Sequence, residues 1–379
     1  MPLEKGSYSN PDAGDMSIVL WDGTFICTAK SACYPDHLVG EGLSGVVLCE
    51  AAKLKRSIWP KYIRPALSDF QGWSFHSSTP EGENWVDEYQ EGYRTPSANV
   101  SSRGKGKPLM TVDYQDLQIN GVRVETYGTP SAAPPLLFVH GGCQGSWAWE
   151  KMAPRLAGAG WYAVCLNWFG HYGSKVLPDG DAVSRSLLNV TTEIGLVTDW
   201  LGGRAPVLVA HSMGGVPSLA YASANPVTAV VLLAPVLPAG LGAGPIDLPV
   251  DPAAMWLPPP HMIDATWWGE VSAQEAQRYT SLLSAESPQA VLEATRWLCE
   301  VDTRHVDAPA LIFAVRADPL VPLEGTHALA EAIGATIVTL ENTGHGIPLN
   351  PVWANVTAQI DPWLRTTTTQ KRAYDQTRR

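Results

Sequence analysis

The chain has 379 residues, 45% of them hydrophobic and 17% charged, and a formal net charge of -11. Such a length and apolar content describe a globular protein with one large core and something beyond it. The acidic balance excludes a chain-wide nucleic-acid binder, because phosphate contact needs a basic surface. No apolar run reaches the roughly eighteen residues of a membrane span. The start Met1-Pro2-Leu3-Glu4-Lys5-Gly6 has no basic segment leading into an apolar one, so a cytoplasmic location is the default expectation. Six cysteines are scattered without C-x-x-C spacing, which suits buried or free thiols better than a metal site or a disulfide framework.

Residues 1–109 form an N-terminal extension that differs in character from the remainder of the chain. Gly45-Val46-Val47-Leu48-Cys49-Glu50 is an apolar strand ending in an acid, and Trp73-Ser74-Phe75-His76-Ser77 is a strand entering the polar loop Ser78-Thr79-Pro80-Glu81-Gly82. Together, over about residues 30–93, these segments resemble the later half of the ATPase domain of phage terminase large subunits, where a Walker B strand ends in Asp-Glu and an S-T-P-x-G motif comes after it. The magnesium-holding Asp position is Cys49 here, and the chain contains no G-x-x-x-x-G-K-[ST] loop for phosphates. A remnant rather than a working motor is expected. Residues 97–107, with Ser101-Ser102-Arg103-Gly104-Lys105-Gly106-Lys107, read as a flexible linker.

From Met110 the pattern changes. Residues 111–119 alternate, Asn120-Gly121 is a two-residue hairpin turn, and 122–127 return as a second strand. Continuous apolar runs at 135–140, 161–166, 207–210, 229–233, 310–315 and 335–340 have the character of strands buried on both faces. Helical patterns lie between them, among them one at 183–201, one at 324–333 and one at 351–364. The predicted fold is therefore α/β, a mostly parallel sheet with helices on both faces. The stretch 235–307, rich in Pro and Trp, is too long for a plain connection and is expected to form a mainly helical cap, with bounds at about 236–307. Residues 367–379 are polar and aperiodic and are expected to be a flexible tail.

Val207-Leu208-Val209-Ala210-His211-Ser212-Met213-Gly214-Gly215 runs from a strand through a very tight turn into a helix. It has the small-x-Ser-x-Gly pattern of a nucleophile elbow, with Ala210 where glycine is usual. A serine hydroxyl needs a base within hydrogen-bond reach, and that base needs an acid to orient it. Asp318, in Arg316-Ala317-Asp318-Pro319, and His345, in Thr343-Gly344-His345-Gly346, each fall just past a buried strand, at the sheet edge where such folds bind ligands. His211, His140 and His171 read as structural, and Cys143 has no base placed for it.

The order Ser, Asp, His is that of α/β-hydrolases. From about 110 to 364 the chain resembles a cap-bearing serine esterase of that fold. His140-Gly141-Gly142-Cys143-Gln144-Gly145-Ser146-Trp147-Ala148-Trp149 is similar to the H-G-x-x-x-G-x-W-x-W segment of plant methyl esterases and hydroxynitrile lyases. The resemblance implies an oxyanion hole from the N–H groups of Gly142 and Met213, with Cys143 as the alternative to Gly142. It implies an acyl-enzyme route with Ser212 as nucleophile, His345 as base and Asp318 as its partner, on a small to medium apolar ester, with no metal or organic cofactor. Trp147, Trp256, Trp267 and Trp268 are candidate walls of the substrate pocket. A dehalogenase or epoxide hydrolase would need an Asp where Ser212 stands. A hydroxynitrile lyase would carry threonine at Gly141 and a lysine in the cap, and this chain has no lysine between Lys175 and Lys371. Lactonase, thioesterase and C–C bond hydrolase chemistry, a ligand-binding receptor of the same fold, and the oligomeric state stay open.

Overall fold

The computed structural model describes residues 112–377 apart from 242–243, 264–266 and 268–270, and five strands before residue 112. The chain divides into two compact units, Met1–Lys107 and Pro108–Arg379.

In the first unit, β1 (Tyr8–Asn10), β2 (Asp15–Leu20) and β3 (Phe25–Ala29) make an antiparallel sheet. The two apolar segments of the terminase resemblance are β4 (Gly45–Cys49) and β5 (Trp73–Ser77), and they pair in parallel, Cys49 opposite Ser77. The S-T-P-E-G loop and the expected linker lie outside the described residues.

The second unit is built on one eight-stranded sheet. Its strands are β6 (Tyr114–Ile119), β7 (Val122–Tyr127), β8 (Leu136–Val139), β9 (Ala163–Leu166), β10 (Val207–His211), β11 (Ala229–Leu233), β12 (Ala310–Val315) and β13 (Thr336–Leu340). Across the sheet they run in the order β13, β12, β11, β10, β8, β9, β7, β6. The β6–β7 hairpin turns at Asn120 and Gly121, both at positive φ, which suits an Asn-Gly turn. β7 pairs antiparallel with β9, and every pair from β9 to β13 is parallel.

The alternation of side chains along a strand decides which helices cover which face. In β10, Leu208 and Ala210 join a core with α2 (Val190–Trp200), α3 (Gly215–Ala224) and α6 (Leu323–Ala332), through Ile194, Leu219 and Leu329. Val207 and Val209 face the other core, formed with α1 (Met152–Gly158) and α7 (Trp353–Thr377) through Leu156 and Ile360. The insertion between β11 and β12 carries α4 (Ala273–Ser281) and α5 (Pro288–Thr295), each capped by a serine side chain, Ser272 and Ser287.

Two expectations need correction. The helix expected at 183–201 is interrupted: Ser186 caps a 3-10 turn at Leu187–Asn189 in a reciprocal box with Asn189, and α2 starts only at Val190. The segment 367–379, expected to be a flexible tail, is helical as far as Thr377, because α7 continues through it and Thr367 is buried. Its threonines return hydroxyls to carbonyls one turn back, as Thr368 does to Leu364, so the lack of an apolar period did not end the helix.

Candidate active site

The strand β10 delivers Ser212 at a sharp turn, and Ser212 has φ +51, a left-handed conformation rare for a residue with a side chain. Such strain persists only where the surroundings impose it. Here the turn passes so close to the end of β8 that a Cβ on Gly214 would overlap the backbone carbonyl of His140. Helix α3 then starts at Gly215, and the serine hydroxyl is left standing at the C-terminal edge of the parallel strands.

β12 and β13 bring the other two candidates to the same edge. The Asp318 Oδ1 accepts the backbone N–H groups of Leu320 (2.8 Å) and Val321 (3.2 Å), which fixes the carboxylate in the loop after β12. Its Oδ2 lies 2.7 Å from His345 Nδ1, and His345 Nε2 lies 2.7 Å from Ser212 Oγ. The carboxylate and imidazole are almost fully buried, at 1% and 3% side-chain exposure, so water does not compete for this line of hydrogen bonds. The three sequence-predicted residues are thus brought together in the predicted order.

His211, read as structural, lies between two of these loops. Its Nε2 is 3.0 Å from the backbone carbonyl of His345 and its Nδ1 is 3.1 Å from Gln144 Oε1, which accepts the Gly141 N–H (3.1 Å), and the single N–H of a neutral ring donates to one of these two acceptors. Burial, and the neighbouring His345, lower the His211 pKa to about 3. His140 is neutral for a similar reason. Its Nε2 accepts the Trp168 N–H (3.2 Å), so its single proton sits on Nδ1 and is donated to the carbonyl of Gly141 (2.8 Å).

That last bond orients the loop after β8. A trans peptide points its N–H opposite to its C=O. The Gly141 carbonyl is turned toward His140 and the Gln144 N–H, so the Gly142 N–H faces the other way, and it has no partner among the described residues. Gly142 also packs directly on Met213, whose sulfur occupies the space a Cβ would need. The N–H of Met213, at the first turn after the serine, is one of the donors a helix start leaves unpaired. The Cys143 N–H is engaged elsewhere, donated to Glu286 Oε2 (3.2 Å). Burial and the Glu286 carboxylate push the Cys143 thiol well above its ordinary range, so it stays protonated and a poor nucleophile.

Glu286 has no sequence signal beyond preceding the capping Ser287. It is buried in the insertion, and its Oε2 also lies 3.1 Å from His171 Nε2. Both His171 nitrogens face acceptors, the second being the Phe169 carbonyl (3.3 Å). Burial disfavours the His171 cation, but the Glu286 carboxylate outweighs it and the pKa rises. Burial likewise works against the Glu286 anion, yet His171 and the two backbone N–H donors bring its pKa below the ordinary value.

A cavity of about 740 Å³, mouth included, opens above Ser212, His345 and Gly142. Its walls are apolar: Val236 and Leu320 from the core, and Leu248, Trp256, Met262 and Trp267 from the insertion. Among the described residues no Asp, Glu, Lys or Arg lines it. Trp256 and Trp267 therefore stand where expected. Trp147 does not line the cavity. Its indole stacks on Tyr279 (5.9 Å between centroids) under the insertion, because the 3-10 turn Ser146–Trp149 directs it into a small core with Ile263. Trp268 lies outside the described residues. Among the described residues no group of three or more His, Cys, Asp or Glu could hold a metal ion, and no helix is long and apolar enough to cross a membrane.

Residues 136–355, running from β8 to the start of α7, match the alpha/beta hydrolase family. The chain belongs to that family. Solved alpha/beta hydrolases share the fold at low identity. A thermophilic esterase from Thermogutta terrifontis is similar over 67% of this chain and 99% of its own, with TM-score 0.55 and 19% identity. An esterase from Rhodococcus sp. ECU1013 covers 68% of this chain and 100% of its own, with TM-score 0.53 and 20% identity. Among curated proteins, 60 residues are 47% identical to the terminase large subunit of Thermus phage G20c, 16% of this chain and 12% of that protein. A protein of Mycobacterium phage D29 named a non-heme haloperoxidase is 35% identical over 114 residues, 30% of this chain and 38% of its own. The chain thus spans well under two thirds of each of these two relatives. This alpha/beta hydrolase also carries the terminase resemblance expected from its first 109 residues.

Proposed function

We propose that this hydrolase cleaves carboxylic esters of small to medium apolar acids, with Ser212 as nucleophile, His345 as general base and Asp318 as the group that orients it. The observation that carries the reading is the pair of 2.7 Å contacts linking Asp318, His345 and Ser212 beneath an uncharged, apolar cavity. His345 takes the Ser212 proton as the oxygen attacks the acyl carbon. The Gly142 and Met213 N–H groups receive the oxyanion, a role worth on the order of 3 kcal/mol per donor in other serine hydrolases. His345 returns its proton to the departing alcohol, then activates water to release the acid. The carboxylate of Asp318 keeps the imidazole proton on Nδ1 and stabilises the imidazolium.

The catalytic unit spans 110–366 in this reading, the insertion at 236–307 is its cap, and the first 109 residues are an appended terminase-like remnant. The cavity walls favour a neutral acyl group, since no charged side chain meets a charged substrate there. A panel of p-nitrophenyl esters of increasing acyl length, run with the wild type and Ser212→Ala, tests the proposal. Hydrolysis abolished by Ser212→Ala, with a preferred acyl length, is the expected result. Ester hydrolysis that survives Ser212→Ala would overturn it, and a rate confined to thioesters or lactones would move the substrate class.

A further inference from the structure

The mechanism leaves one buried charge beside the reaction centre unused. Glu286 belongs to the insertion, and its backbone pairs in both directions with that of the cavity residue Trp256 (2.8 Å each). Its carboxylate reaches across to two loops of the sheet domain, taking the Cys143 N–H on Oε2 and facing His171 there, while Oε1 takes the Ser287 N–H (2.9 Å). Two positions earlier, the Ser284 N–H donates to the Cys143 carbonyl (2.9 Å). Both polar backbone groups of Cys143 are therefore held by one short segment of the insertion.

Cys143 needs holding. Its φ is +61, which a residue with a Cβ does not adopt unaided. Cys143 is also the neighbour of Gly142, whose N–H, without a partner among the described residues, is the proposed oxyanion donor. If its N–H were released from Glu286, the Gly142–Cys143 peptide could turn over, and the angle at which Gly142 presents its own N–H would change with it.

We propose that Glu286, with His171 as its counter-charge, is a positioning residue that sets the oxyanion hole by clamping Cys143, so that the hole is complete only when the insertion is seated. The inference rests on Ser212 being the nucleophile. Glu286 touches no substrate in this scheme and acts only through the loop. Its removal should lower the stabilisation of the transition state while leaving the apolar cavity, and hence ground-state binding, largely as it is.

The test uses the full chain with Glu286→Gln, which keeps the shape but sets an NH2 group against one of the two backbone N–H groups. We expect kcat on a p-nitrophenyl ester to fall on the order of 10- to 100-fold, with KM within about threefold. Inhibition by a trifluoromethyl ketone, whose adduct with Ser212 carries an oxyanion, should weaken by the same factor as kcat/KM. A purely structural role would lower the active fraction, counted by fluorophosphonate titration, and leave the ketone constant of the remaining enzyme unchanged. That outcome, or a kcat within twofold of wild type, overturns the proposal. Should Glu286→Gln not fold, His171→Asn decides, since it must show the same proportional loss in kcat and ketone binding, and wild-type values would overturn the clamp. Ser212→Ala run alongside separates the two readings. Activity that survives it removes the Ser212 mechanism, whereas an inactive Ser212→Ala beside a wild-type-like Glu286→Gln removes the clamp alone.

Discussion

Asp318→Asn gives the most direct measure of the proposed mechanism. The Oδ1 of Asp318 accepts two backbone N–H groups, from Leu320 and Val321, so in the variant the amide oxygen must stay there and the NH2 must take the Oδ2 position facing His345 Nδ1. An NH2 group is a donor, and the imidazole answers by moving its proton to Nε2, 2.7 Å from Ser212 Oγ. A protonated Nε2 cannot accept the serine proton. Little else changes, because volume and backbone bonds are kept. The same tautomer error in another serine hydrolase lowers kcat about 10⁴-fold, or roughly 5 kcal/mol of barrier at 1.36 kcal/mol per decade. Steady-state hydrolysis of the best p-nitrophenyl ester at pH 7.5 is the assay, with a denaturation curve to show that the fold is intact. A folded Asp318→Asn enzyme within tenfold of wild type would refute the tautomer argument and with it the role given to Asp318.

Gly142→Ala places a methyl group where the Met213 sulfur sits, displacing both proposed oxyanion donors; kcat should drop on the order of 10²-fold in steady-state assays, with the fold retained because a flexible thioether can yield. His140 has its pKa lowered to about 3 by burial and by His171, so its stabilising effect is complete above the unfolded pKa near 6.5 and is lost as pH falls toward 3. At pH 5 that amounts to about 2 kcal/mol, and urea denaturation of wild type and His140→Gln between pH 7.5 and 5 should show a fall smaller by that amount in the variant; equal slopes would contradict it. A chain starting at Met110 should keep its esterase rate, as checked on the same esters, because the sheet and the candidate site lie wholly in the second unit. Loss of folding on that truncation would show that the first unit completes the core.

The reach of the sequence matched the range of the forces that shape each feature. Strand runs such as 207–211, the Asn120-Gly121 turn and the Ser212 elbow are written in neighbouring residues, since side-chain period and positive φ are local demands. For that reason the α/β architecture and the three candidates at one sheet edge were legible. Local rules also misled where packing or capping intervened, as at Ser186, which splits an apparently continuous helix, and at Trp147, which its 3-10 turn sends to Tyr279 instead of the cavity.

Residue order alone determined that an alcohol, a carboxylate and an imidazole would come after three strands of one parallel sheet, because each is tied to its own strand by a few adjacent peptide units. Only the packed chain decided that the Cys143 N–H is taken by Glu286 while the Gly142 N–H is left without a partner among the described residues. Those choices depend on where buried donors find acceptors from distant segments, and a desolvated hydrogen bond is enforced by the whole interior around it and by nothing in the local sequence.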